Sequence, residues 1–172
     1  FIPVFSKYLG NKSESSRLAS SMINAIMLVM LILTILLLIY ARPLSSVIAG
    51  GFESSQLDLM ANLTRIMATA QLFFGFSSFL TGIIQSNQRF LIPALSPILY
   101  NLGIIIGIIV LGPTIGIYGP AVGVVLGAVL HLLAQLPLAH QLGFRYTPTI
   151  SPKSPAVAEM MRLMGPRVLT LS

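Results

Sequence analysis

The chain has 172 residues, of which 55% are hydrophobic and only 8% charged, with a mean hydropathy of +0.91 and a net charge of +6. Ordinary soluble domains carry about 25% charge, so this composition excludes a soluble globular protein, and apolar stretches that are continuous rather than alternating exclude an outer-membrane barrel. The basic residues sit singly between apolar stretches and form no patch interleaved with aromatics, which excludes a nucleic-acid partner, and the lack of cysteine excludes disulfides and thiolate metal sites.

Residues 1–10, FIPVFSKYLG, read as the end of a span whose body lies upstream, so the chain is expected to be an internal stretch of a longer protein. Residues 11–21 are polar, carry Lys12, Glu14 and Arg17, and predict a connection. Residues 22–40 contain no charge. As a helix they measure about 28 Å, enough to cross a hydrocarbon core of ~30 Å. Arg42-Pro43 is expected to end that helix, because proline disfavours helical geometry in the residue before it. Residues 44–52 form a small-residue connection. Ser55-Gln-Leu-Asp58 then has the S-x-x-D form of a helix start, with Asp58 favourable at the positive helix end. The helical pattern continues to about Ile84 and measures roughly 43 Å. That exceeds the core, which places Arg65 near the membrane–water boundary.

Residues 85–89, QSNQR, are the polar break between two long apolar segments. So short a connection predicts a transmembrane hairpin of antiparallel neighbours with Arg89 at its tip. Pro93 suits a first helical turn, where a missing N–H costs nothing. The span it opens is expected over 93–111, bent at Pro97. Residues 112–119 predict a tight loop, and Pro120 opens a span reaching about Pro137. Residues 139–154 are polar and proline-rich. In the short helix after Ser154-Pro155, Val157, Met160, Met161 and Met164 share one face, as in helices that lie on a membrane surface. Gly165-Pro166 breaks it, and Arg167 begins another span. The fold class is therefore all-α, a polytopic transmembrane helix bundle. With alternating topology, Lys7, Lys12, Arg17, Arg89, Arg145, Lys153, Arg162 and Arg167 fall on one side, and only Arg42 and Arg65 on the other. This bias predicts that the Arg89 connection and the 139–166 loop face the cytoplasm.

Gly103 and Gly107, and Gly119, Gly123 and Gly127, recur every four residues. Such faces let helix backbones approach closely in lipid; the other reading is a smooth wall facing a substrate. Arg65 is the one charge that could lie within a span. It either binds an anionic substrate or anchors its helix at the interface. Gln71, Asn101 and Gln135 are single polar residues within spans, suited to interhelical hydrogen bonds or to ligand contact. His131 and His140 have no partner at metal-ligand spacing, and the eight methionines read as packing residues. Glu14, Glu53, Asp58 and Glu159 all fall in connections or at helix ends. With no paired carboxylates, phosphate loop or nucleophile elbow, no catalytic residue, metal site or cofactor is predicted.

Five stretches carry a family resemblance: FIPVFSKYL at 1–9, LTRIM at 63–67, LFFGFSSFLTGIIQSNQRFLIPALSPILYNLGIIIG at 72–107, GIYGPAVGVVLGAVLHLLAQLP at 116–137 and LGFRYTP at 142–148. In that order they resemble the MurJ (MviN) family of lipid II flippases, within the multidrug, oligosaccharidyl-lipid and polysaccharide exporter superfamily. The resemblance implies a bacterial cytoplasmic-membrane protein of two helical lobes. Such a protein moves lipid-linked peptidoglycan precursor to the outer leaflet by alternating access and is a transporter, not an enzyme. It implies that residues 1–138 are part of the N-terminal lobe, 139–165 a cytoplasmic linker and 166–172 the start of the seventh helix. The implied partners are lipid II or a similar polyprenyl diphosphate-linked glycan, membrane lipids and the remaining helices. The main cationic cavity residues of the family come from helices outside this stretch. Arg65, which matches a family arginine, is left as the candidate substrate contact, with Gln71 and Asn101 beside it. A related exporter of another cargo and a non-transporting scaffold stay open as alternatives.

Overall fold

The computed structural model describes residues 2–148. The surface helix expected over 157–164 and the span expected from Arg167 lie outside the described residues. A short helix α1 (Ile2–Phe5) and a 3-10 turn (Ser6–Tyr8) lead into α2 (Lys12–Ile48), α3 (Ser54–Ser86) and α4 (Leu91–Ile106). A π turn at Gly107–Leu111 joins α4 to α5 (Gly112–Ile115), and α6 (Tyr118–Gln141) follows. Among the described residues four helices are long and apolar enough to cross a membrane: Lys12–Ile48, Ser54–Ser86, Leu91–Ile115 and Tyr118–Gln141.

The spans fall where hydropathy predicts them, but their ends do not. α2 begins ten residues before Met22, because Asn11 caps it: its Oδ1 accepts the Glu14 N–H at 3.3 Å. The polar residues 12–21 are helical because their serines are small enough to pack; Ser15, Ser16, Ser20 and Ser21 are buried. Nor does Arg42-Pro43 end α2, which runs on to Ile48 with Pro43 inside it. Proline inside a helix frees a carbonyl and costs ~3 kcal/mol, but in membrane helices neighbouring side chains can satisfy the loosened backbone. α3 starts two residues earlier than predicted, at Ser54. Its cap is Glu53, in a reciprocal capping box with Gln56, rather than Ser55 with Asp58. Asp58 instead pairs with Arg42, which also donates to Ser54 Oγ at 2.9 Å. That cluster staples the α2–α3 connection.

The predicted 112–119 loop is mostly helix. Pro113 falls at the second position of α5, where its missing N–H is harmless, and the preceding π turn absorbs the register change. The real turn is at Gly116, whose φ of +60° favours glycine. α6 also passes Pro137 and stops only at Gly143 (φ +97°). There the Gly143 N–H bonds to the His140 carbonyl at 3.0 Å and the Phe144 N–H to the Ala139 carbonyl at 3.1 Å, a Schellman stop.

Packing order differs from chain order. α2 packs on α3, α3 on α6, and α6 on α4, while α3 and α4 approach each other at only a few positions. The expected hairpin of neighbours is thus split by α6. The cause lies in the glycines. A methyl group on Gly107 would stand 2.5 Å from Gly123 Cα and 2.6 Å from the Gly119 carbonyl oxygen, and one on Gly103 would overlap Gly127. The five glycines are consumed in backbone-to-backbone contact between α4 and α6, not spread on a free wall. The largest buried cluster, including Phe5, Leu18, Met22, Ile23, Leu80, Ile83, Ile84 and Phe144, gathers where α1, the start of α2 and the ends of α3 and α6 converge.

Gly107→Val should therefore destabilise the protein in detergent by at least the usual 1–3 kcal/mol of overpacking, about, since backbone rather than a flexible side chain is in the way. Gly51→Ala, with nothing within 4 Å of the added methyl, should leave the thermal midpoint nearly unchanged. Equal midpoints for the two variants would refute the seam.

Candidate functional site

The helices place the three predicted site residues at separate positions, and no hydrogen bond links one to another. Arg65 leaves α3 partly buried and reaches α2, where its Nε donates to the Leu38 carbonyl oxygen at 2.9 Å. Its Nη1 donates to Asn62 Oδ1, also at 2.9 Å. Leu38 lies next to Ile39, whose carbonyl Pro43 leaves without its helical donor. The guanidinium thus ties α3 to α2 at a weak point of the helix, with Nη2 left uncommitted. Gln71 and Asn101 are exposed and make no side-chain hydrogen bond among the described residues.

Gln135, the third in-span amide, is fully buried and organises a polar joint between α3 and α6. Thr81 Oγ1 donates to Gln135 Oε1 at 2.8 Å. Gln135 Nε2 donates to Ser77 Oγ at 3.0 Å, and Ser77 Oγ lies 2.7 Å from His131 Nδ1. Ser77 accepts the amide N–H on one lone pair, and with one proton and one lone pair still available it can complete the chain to His131 in either imidazole tautomer. Phe74 stands edge-on to the His131 ring at 5.4 Å and to Tyr100 of α4 at 5.0 Å. Among the described residues no buried side-chain nitrogen or oxygen lacks a partner. The same residues bring no three His, Asp or Glu side chains together as metal ligands would be.

A second polar ladder escaped the sequence reading. After Gly143 the chain runs extended along α2. Ser16 Oγ donates to the Gly143 carbonyl at 3.2 Å and accepts the Arg145 N–H at 3.1 Å. Ser20 Oγ accepts the Thr147 N–H at 3.0 Å, Asn24 Nδ2 donates to the Thr147 carbonyl at 3.3 Å, and Tyr146 donates its hydroxyl proton to Asn24 Oδ1 at 2.6 Å. The signal was present in Ser16, Ser20 and Asn24, spaced four apart on one helix face. It was hidden because serine is equally common in loops.

The whole of this arrangement lies within a recognised family. A family model described as "Lipid II flippase MurJ" matches residues 1–172. The chain belongs to the MurJ lipid II flippase family. It is 31% identical over 180 residues to the "Probable lipid II flippase MurJ" of Buchnera aphidicola subsp. Acyrthosiphon pisum (strain APS), covering 100% of this chain and 35% of that protein. With the "Probable lipid II flippase MurJ" of Thermotoga maritima it shares 27% identity over 172 residues, covering 100% of this chain and 34% of the relative. The "Lipid II flippase MurJ" of Thermosipho africanus is 29% identical over 131 residues, 76% of this chain and 27% of that protein. The chain thus spans about a third of the length of the curated MurJ relatives it matches. With its four apolar helices, it is part of a multi-pass membrane protein.

The α3–α6 joint is open to direct measurement. Gln135→Leu and Ser77→Ala should each lower stability, and a double-mutant cycle should give a coupling of about 0.6–1.7 kcal/mol, the range of interhelical hydrogen bonds in lipid. Strict additivity would show that the two side chains do not share a bond.

Proposed function

We propose that the whole protein is a transporter rather than an enzyme, a flippase that moves lipid II from the cytoplasmic to the outer leaflet of the bacterial cytoplasmic membrane by alternating access. The match of the MurJ family model over all 172 residues carries this reading. The physics supports it. Carrying a sugar-peptide head through ~30 Å of hydrocarbon needs a shielded polar path, and such a path forms between two bundles that move against each other. This chain supplies one bundle, its seams closed by glycine contacts and satisfied hydrogen bonds.

Within that reading Arg65, Gln71 and Asn101 are the candidate cargo contacts of this stretch. Gln71 and Asn101 present uncommitted amides, and Arg65 keeps one guanidinium nitrogen for an anionic group while the other two hold Leu38 and Asn62. In a host depleted of its own lipid II flippase, the whole protein should sustain growth and prevent lipid-linked precursor from accumulating on the cytoplasmic leaflet. Arg65→Ala should reduce this rescue and Arg65→Lys should retain part of it. A well-expressed, correctly inserted protein that neither rescues growth nor moves precursor outward would overturn the flippase reading in favour of a related exporter or a scaffold.

Sidedness belongs to the same proposal. The excess of lysine and arginine at Lys12, Arg17, Arg89 and Arg145 puts the Arg89 connection in the cytoplasm. The chain has no native cysteine, so single cysteines report cleanly. Asn87→Cys should react with an impermeant thiol reagent only in inside-out vesicles, and Ser54→Cys only in intact cells. The reverse pattern would invert the topology.

A further inference from the structure

The end of the bundle that holds the buried cluster also carries a cationic groove. It has a volume of about 510 Å³ between the start of α2 and the chain leaving α6, and its walls include Lys12, Ser13, Ser16, His140, Arg145 and Thr147. No carboxylate lines it among the described residues. The acid nearest in sequence, Glu14, is held by the Asn11 side chain at 3.4 Å. Lys12 has no hydrogen-bond or ion-pair partner among the described residues. The Arg145 guanidinium meets a neutral acceptor, its Nη1 lying against His140 Nε2. At the opposite end, by contrast, Arg42 is paired with Asp58.

The groove is built rather than incidental. The Schellman stop turns the chain at Gly143, and a side chain there would stand 2.9 Å from Lys12 Cδ. Glycine therefore leaves the space in which the lysine stem lies. Ser16 and Ser20 then fix the Arg145 and Thr147 backbone N–H groups to α2, so Arg145 is presented from a backbone with little freedom. α6 has 24 residues, about 36 Å of helix. It overshoots the ~30 Å core only slightly, so His140 at its end stands at headgroup level.

We propose that this groove binds a phosphate group at the membrane surface through Lys12 and Arg145, with the Ser13 hydroxyl as an additional donor. The fitting ligand is the phosphodiester of an anionic phospholipid; soluble phosphate carries the same chemistry. Basic pockets between transmembrane helices take such headgroups, and each surface lysine or arginine strengthens binding to anionic lipid about fivefold. The proposal stands apart from cargo transport, because it rests on groups at the end of the bundle and not on Arg65, Gln71 or Asn101.

The test uses the whole protein in neutral detergent, with its thermal midpoint followed against short-chain phosphatidylglycerol, short-chain phosphatidylcholine and inorganic phosphate. Phosphatidylglycerol should raise the midpoint saturably, and phosphatidylcholine should not. The double variant Lys12→Gln/Arg145→Gln should bind about 25-fold more weakly, as two lost cations at fivefold each require. Arg145→Lys should recover most of one step, and Arg17→Gln, outside the groove, should behave as wild type. Both groove side chains are exposed, so the variants should keep the lipid-free midpoint. Should inorganic phosphate reproduce the shift at similar concentration, and lose it in the double variant, the site would be assigned to soluble phosphate. An undiminished lipid response in the double variant, or no response to any phosphate-bearing probe, would overturn the proposal.

Discussion

Between helices surrounded by lipid there is little hydrophobic driving force, since acyl chains are as apolar as leucine, and association rests on close packing and on interhelical hydrogen bonds. The contact of Gly103 and Gly107 with Gly119, Gly123 and Gly127 meets this constraint at its limit, with backbone laid against backbone. Its consequences reach the whole arrangement. By taking α4 onto the glycine-bearing first half of α6, it draws α4 away from α3, its neighbour in sequence. The second half of α6 is then free to meet α3, where Ser77, Thr81, His131 and Gln135 bond to one another. One seam works by removing side chains and the next by pairing polar ones. α6 is central because its sequence changes from the first chemistry to the second along its length.

How much of this was legible in the sequence depended on which physical effect was local. Four spans were legible, because roughly twenty apolar residues in a row have few other meanings. The glycine faces were legible for the same reason, as a period of four needs no knowledge of the partner. Helix ends were not. Pro43 and Pro137 read as span ends and residues 112–119 as a loop, because in water a proline usually ends a helix. Here α2 runs on through Pro43, a π turn joins α4 to α5, and a Schellman stop ends α6 only beyond Pro137. Polar residues 12–21 read as a loop for the matching reason, since polarity in sequence does not distinguish a solvated loop from a helix whose serines are buried.

The candidate site was legible only in outline. Gln135 stood out as a lone amide in an apolar span and proved to be the organiser of a joint. Gln71 and Asn101 have the same signature but face outward, uncommitted within this stretch. The difference is not in the residues. It lies in whether another helix of this chain passes over them, and that depends on the packing order set by the glycines. Arg65 shows the reverse case. Its charge suggested a ligand, and the structure adds a partner that no residue pattern could announce, the backbone carbonyl of Leu38, 27 positions away in the chain.

The distribution of contact types bears on how such a piece could serve in transport. Inside the bundle the seams are short-range and saturated: glycine backbones in contact, and no buried side-chain polar atom without a partner among the described residues. Away from the buried cluster many large apolar side chains face outward, between Leu28 and Ile39 along α2 and between Ile98 and Val110 along α4 and the π turn. Outward apolar surface exchanges one apolar neighbour for another, lipid for helix, at little cost, because both environments are apolar. Breaking a glycine seam or the Gln135 joint costs far more, since lipid can supply neither the backbone contact nor the hydrogen bond. A body built in this way keeps its internal geometry while its surroundings change. Alternating access by rocking bundles asks for that asymmetry, and the glycines and the buried amide are the residues that create it.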